Sequence, residues 1–124
     1  MSLRPKPEQE RPLHDPLQVF HLEQTYAQLR AEPDYANGRN AITLRKTPDL
    51  RIVLLAQQAG NVLDDHRAAG PITLQVVHGR VRFATADQTV ELNAGMLIAL
   101  DSGIVHRVEA LDDSVSLLTL GKQS

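Results

Sequence analysis

The side chains best placed to do chemistry lie in two short stretches. The first is Asp64-Asp65-His66, followed by a Gly70-Pro71 corner, the run ITLQVVH and Gly79. The second is His106, inside the run Ile104–Val108. A neutral imidazole binds late first-row metals and can also donate or accept a hydrogen bond. Side chains alternate along a strand, so Asp64 is expected on the same face as His66 and Asp65 on the opposite one. Asp64 thus puts a carboxylate beside an imidazole, although a carboxylate near a turn is ordinarily just solvated. His78 is expected on the face of Ile72, Leu74 and Val76, reaching solvent at the strand end as a turn neighbour. The chain has no cysteine, which excludes disulfides, thiolate zinc sites and cysteine nucleophiles. Ser102 lies in a turn, and Ser114 and Ser116 lie on the last strand. None has the strand–nucleophile–helix elbow of a serine hydrolase, and no glycine pattern follows a strand and opens a helix to cradle phosphate.

The elements that must position these groups are mostly strands. A chain of 124 residues suits one domain with a real core. Hydrophobic residues make up 42% but aromatics only 3%, so the core is expected to be aliphatic. Residues 1–18 carry prolines at 5, 7, 12 and 16 and read as an arm. Residues 19–40 read as a short helix and a turn. Leu22, Tyr26 and Leu29 form one apolar stripe, Pro33 stops the helix, and Asn37-Gly38 turns the chain. From residue 41 the period changes to two. Apolar runs Ile42–Arg45, Leu50–Ala56, Ile72–Val77, Val81–Ala84, Val90–Leu92, Met96–Leu100, Ile104–Val108 and Val115–Leu120 are separated by turn residues. This spacing predicts an antiparallel sandwich or barrel over 41–121. Arg80, Arg82, Glu91 and Arg107 are expected on exterior faces.

The stretch from Gly60 to Val108 resembles the cupin family, a double-stranded β-helix or small jelly-roll barrel. The family's first motif runs Gly, five residues, His-x-His, three or four residues, Glu, six residues, Gly. Here Gly60 precedes NVLDD, His66-Arg67-Ala68, AGP, Ile72, TLQVVH and Gly79. The second motif runs Gly, five residues, Pro-x-Gly, two residues, His, three residues, Asn. Here Gly95 precedes MLIAL, Asp101-Ser102-Gly103, Ile104-Val105, His106, RVE and Ala110. The resemblance covers roughly Ile42 to Leu120 and implies an all-β, cupin-like jelly-roll barrel with a short N-terminal helix and an extended arm. It implies four metal ligands, of which His66 and His106 are present. Ala68 and Ile72 stand where the family has a second His and a Glu. A facial two-His, one-carboxylate site needs three protein ligands, so the inherited metal site reads as broken.

The leading expectation is a small bacterial-type cupin that binds a small molecule of unknown identity in the barrel without a complete metal site. The pocket wall is expected to include His66, Ile72, Leu74, His106 and Val108, with Val53 or Leu54 and Leu97 or Ile98. No cofactor is expected. The alternative cofactor is a weakly held divalent metal (Fe, Mn, Zn or Ni) on His66 and His106, with Asp64 third. Two other functions compete. One is a metal-dependent enzyme of dioxygenase or isomerase type using His66, His106 and a substitute carboxylate; the other is a sensory or interaction module. Exposed barrel edges need protection, so a homodimer is expected. The net charge of -2 with scattered basic residues argues against nucleic acid. No apolar run approaches a membrane span, and MSLRPKPEQERP has no signal-peptide core. The expected location is the cytoplasm.

Overall fold

The computed structural model describes residues 12–123. Most of the expected N-terminal arm, residues 1–11, lies outside them. The first helix, α1, spans Leu22–Ala31, and a 3-10 turn spans Pro33–Asn37. Nine strands follow: β1 Arg39–Lys46, β2 Arg51–Gln57, β3 Val62–His66, β4 Ile72–His78, β5 Arg80–Thr85, β6 Thr89–Asn93, β7 Leu97–Leu100, β8 His106–Ala110 and β9 Ser114–Leu120. They form two antiparallel sheets, ordered β1-β2-β9-β4-β7 and β3-β8-β5-β6. Strands consecutive in the chain thus change sheets repeatedly, as a jelly roll requires.

Eight strands fall on the expected apolar runs, with small shifts in their ends. Strand β3 is the ninth, and the apolar runs miss it because VLDDH carries only two apolar residues. The strand starting near Ile104 begins instead at His106, leaving Ile104 and Val105 exposed in the preceding loop.

Helix α1 forms where the Leu22, Tyr26, Leu29 stripe predicts and stops before Pro33, which has no N–H to continue it. The stripe covers the outer face of the five-stranded sheet. Leu29 is fully buried against Ile42, Leu44, Leu54, Ala56 and Val115, with Leu22, Tyr26 and Phe20 packed around them. Asn40 Nδ2 reaches up from β1 to donate to the Leu29 carbonyl at 3.1 Å and to Glu32 Oε1 at 2.8 Å. It therefore satisfies a helix-end carbonyl that would otherwise lack a partner. The described part of the arm lies beside β1: Lys46 N–H donates to the Leu13 carbonyl at 2.9 Å, and Arg45 Nη1 donates to Gln18 Oε1 at 2.8 Å.

A second core fills the space between the sheets. It joins Leu74 and Val76 of β4, Val81 and Phe83 of β5, Leu92 of β6 and Val108 of β8, with Leu63, Ile98, Leu100 and Leu118 around them. The opposite face of the four-stranded sheet is polar and solvated. Arg82 meets Glu109 at 3.0 Å, and Arg80 sits between Glu91 at 2.6 Å and Asp112 at 3.2 Å. At this exposure such pairs contribute little stability.

Two β-bulges redirect the candidate histidines. In β3, Leu63 pairs with Val108 and His66 pairs with His106, so three steps on β3 match two on β8. The extra residue breaks the simple alternation. Leu63 and His66 share the inward face, and Asp64 and Asp65 are both exposed. The expected sharing of a face by Asp64 and His66 is thereby overturned. In β4, Val76 pairs with Ser116 while His78 pairs with Val115. His78 therefore leaves the face of Ile72, Leu74 and Val76 and joins the outer face beneath α1. There its Nε2 meets Glu23 Oε1 at 2.5 Å, and its ring stacks on Tyr26 with centroids 6.0 Å apart. It is a docking contact for the helix as well as a turn neighbour.

Candidate functional site

His66 and His106 are directly opposed on neighbouring strands of one sheet, with ring centroids 4.2 Å apart. Each is held by the same local device. His66 Nδ1 lies 2.8 Å from the Asp64 carbonyl, and His106 Nδ1 lies 2.9 Å from the Ile104 carbonyl. A carbonyl oxygen only accepts, so both Nδ1 atoms carry the proton and donate. In the neutral ring Nε2 is then a bare acceptor. His106 is only 2% exposed and stacks on Phe83, with centroids 5.3 Å apart and planes 13° apart. Burial pulls its pKa below the ordinary imidazole value. The Ile104 carbonyl opposes that shift, and the neighbouring His66 ring adds to it. His106 is therefore neutral at pH 7, with an unprotonated Nε2.

A pH dependence follows. The native pKa of His106 lies below the unfolded value of 6.5. Below pH 6.5 the unfolded chain takes up a proton that the folded chain resists. The contribution of neutral His106 to stability is complete above pH 6.5. It is lost as pH falls from there toward the lowered native value. Denaturant unfolding of wild type and His106→Gln between about pH 5 and 8 should show a shallower acid loss in the variant. Identical slopes would contradict the assignment.

Two cavities lie next to neighbours of the pair, but neither is lined by His66 or His106, both expected in the pocket wall. The larger, about 640 Å³, opens between β1-β2-β9 and β3, a size typical of small-molecule sites. Its aliphatic wall is Ala41, Val53, Leu55, Leu63 and Leu118, and Asp34, Asn37, Arg39 and Asn40 supply polar atoms. Leu63 shares the inward face of β3 with His66. Arg39 Nη1 donates to the Val62 carbonyl at 3.3 Å and so ties the edge of one sheet to the edge of the other. The smaller cavity, about 230 Å³, is lined by Phe83, Thr85, Gln88, Val90 and Ile98–Leu100. Its wall residue Phe83 stacks on His106, and Thr85 is the β5 partner of His106.

The structure sorts the expected wall. Val53 faces the larger cavity, whereas Leu54 packs outward against α1. Ile98 is inward and Leu97 is 61% exposed. Leu74 and Val108 are 0% and 1% exposed. They lie inside the packed core, because the inward strand faces meet and fill the space there. Ile72 is buried and borders a separate crevice with Pro71 and Leu100. Nothing in the sequence places two polar residues in the interior: Gln57, and Ser116, considered only as a nucleophile. Gln57 and Ser116, both 0% exposed, have no local signal beyond being polar residues at the end of RIVLLAQ and within SVSLL.

The residues do not fit the family's metal centre. The inward donors are two imidazole nitrogens. Ala68 and Ile72 offer no lone pair, the bulge turns Asp64 away, and Asp64 Oδ1 accepts the Asp65 N–H at 3.3 Å. Among the described residues no three His, Asp or Glu side chains converge. A transition-metal site of this type needs at least three protein ligands.

No family model matches the chain, and no curated protein is similar to it in sequence. Solved structures are similar in fold. A conserved protein of unknown function from Streptococcus pyogenes superposes with TM-score 0.72 at 21% identity, covering 91% of this chain and 94% of that one. A cupin superfamily protein from Desulfitobacterium hafniense gives 0.69 at 18% identity, covering 91% and 92%. A salicylate 1,2-dioxygenase variant from Pseudoaminobacter salicylatoxidans gives 0.76 at 18% identity, covering 96% of this chain and 39% of that one. No helix among the described residues is long and apolar enough to cross a membrane. The motif spacing, the interleaved strand order and these neighbours agree that this chain has the cupin fold.

Proposed function

We propose that the barrel binds a small molecule with an aliphatic body and a hydrogen-bond-donating group. The supporting observation is the His66–His106 pair. Both Nδ1–H groups are engaged by backbone carbonyls, so Nε2 is the nitrogen each ring has left for a ligand. An acceptor in such a setting gains most from a ligand O–H or N–H and is costly to leave unpaired. A carboxylate ligand would bring only acceptors to this pair.

Shift mapping on ¹⁵N-labelled protein with 1-hexanol as the probe tests the reading. Perturbations are expected at Leu55, Leu63 and Leu118 and around His66 and His106. His106→Phe should weaken binding by roughly ten-fold, the loss of one buried hydrogen bond. Perturbations confined to the exterior would overturn the proposal. A metal-dependent enzyme is the second reading, favoured only by the 4.2 Å separation of the two imidazole ring centroids. Stoichiometric iron or manganese after growth in metal-supplemented medium, lost on His66→Ala, would establish it instead.

A further inference from the structure

The cavity of about 640 Å³ has two opposite charges in its wall that do not neutralise each other. Asp34 sits in the 3-10 turn Pro33–Asn37 and Arg39 opens β1. Both are exposed and line the cavity with aliphatic residues such as Val53, Leu55 and Leu118. Arg39 spans from β1 to β3: its Nη1 donates to the Val62 carbonyl at 3.3 Å. That bond holds the guanidinium away from a pairing with Asp34 and leaves Nε and Nη2 without a partner among the described residues. Ion pairs among those residues join His78 to Glu23, Arg80 to Glu91 and Asp112, and Arg82 to Glu109. Neither Asp34 nor Arg39 belongs to one, and no hydrogen bond among the described residues engages the Asp34 carboxylate. The neutral wall residue Asn40 is already committed: Nδ2 donates to the Leu29 carbonyl and to Glu32, and Oδ1 accepts the Ala41 N–H.

On a flat surface two such charges are simply solvated. Here they border a hollow with an aliphatic wall, where less water screens them and the field is concentrated. A guanidinium edge matches a carboxylate through two parallel N–H···O bonds, and a carboxylate accepts from an ammonium. A fatty acid would satisfy Arg39 and be repelled by Asp34, and an alkyl amine would do the reverse. The group complementary to both is a zwitterion, with its ammonium at Asp34, its carboxylate at Arg39 and its alkyl group on Val53, Leu55 and Leu118. We infer that Asp34 and Arg39 form a zwitterion-recognising site at this cavity, so that the ligand class is aliphatic α-amino acids. The site stands apart from the histidine reading above: no group of the zwitterion is asked to reach His66 or His106, and neither lines this cavity.

Titration calorimetry tests the site with three probes on wild type, Asp34→Asn and Arg39→Gln. The probes are L-leucine, N-acetyl-L-leucine, which lacks the ammonium, and isopentylamine, which lacks the carboxylate. Wild type should prefer leucine over each of the others by about ten-fold or more, one charge-assisted contact. Asp34→Asn should lose most of the preference over N-acetyl-leucine and keep that over isopentylamine. Arg39→Gln should do the converse, a crossed pattern that a general loosening of the fold would not produce. If Arg39→Gln fails to fold without its Val62 bond, the selective loss in Asp34→Asn decides alone. Equal affinities for the three probes in wild type, or preferences unchanged in the variants, overturn the site. Leucine failing to bind while 1-hexanol perturbs the barrel interior overturns this inference and leaves the histidine reading standing. The crossed pattern with leucine, beside hexanol perturbations confined to the exterior, supports this inference while the histidine reading fails.

Discussion

Leu74→Ala is expected to lower the unfolding free energy by about 3–5 kcal/mol, a large fraction of the stability of a domain this size. Leu74 is 0% exposed and sits mid-sheet, paired with Leu118 on one side and Ile98 on the other. Val76, Val81, Phe83 and Val108 close the cluster around it. Both neighbouring strands are themselves hydrogen-bonded, so the void left by truncation cannot collapse, and the cavity penalty adds to the lost transfer energy. Leu97→Ala, one strand away and 61% exposed, should stay within about 0.5 kcal/mol of wild type. Urea unfolding of the two variants provides the comparison. A cost below about 1 kcal/mol for Leu74→Ala would return Leu74 to the cavity wall, where alternation alone had put it.

Gly79→Ala should be the more damaging of two substitutions that look equivalent in the motifs. Gly79 and Gly95 both have left-handed backbones, with φ of +85° and +92°. Any L side chain there costs about 1–2 kcal/mol. At Gly95 an added Cβ meets nothing within 4 Å, so that penalty is the whole expected effect. At Gly79 the Cβ would run into the Asp113 carbonyl and come 2.8 Å from Ser114 Cα. These are backbone atoms that cannot swing aside. The same spot holds the link between the β4–β5 hairpin and β9: Arg80 N–H donates to Ser114 Oγ at 2.9 Å, and Ser114 Oγ donates to the Arg80 carbonyl at 3.0 Å. We expect Gly79→Ala to cost about 3 kcal/mol or more, with Gly95→Ala remaining folded. Equal melting shifts for the two variants would refute the distinction.

Much of the framework was legible from local pattern. The stripe Leu22, Tyr26, Leu29 ended at Pro33 gave the helix, and glycines followed by period-two runs gave the strands, because both signals depend on a few neighbouring residues. The motif spacing from Gly60 to Gly79 and from Gly95 to His106 led to the cupin fold, and His66 and His106 do come together. The missing donors at Ala68 and Ile72 were visible for the same reason: an alkyl side chain has no lone pair in any fold.

What tertiary structure alone decided was which way several of those residues face. Asp64 and His78 were assigned by strict alternation, and both assignments failed at a bulge. Alternation reports a face only while both strands advance in step. An extra residue in β3 or β4 is set by how Val108 and His106, or Ser116 and Val115, line up on the partner strand, and nothing in DDH or VVH announces it. Leu74 and Val108 read as cavity wall because the same inward pattern serves a filled core and an open one. The separation between the sheets decides between them. Gln57 and Ser116 are ordinary polar letters in the sequence. They become a buried polar pair only because the β2–β9 ladder sets them on the same inward face, where an unpaired oxygen is costly.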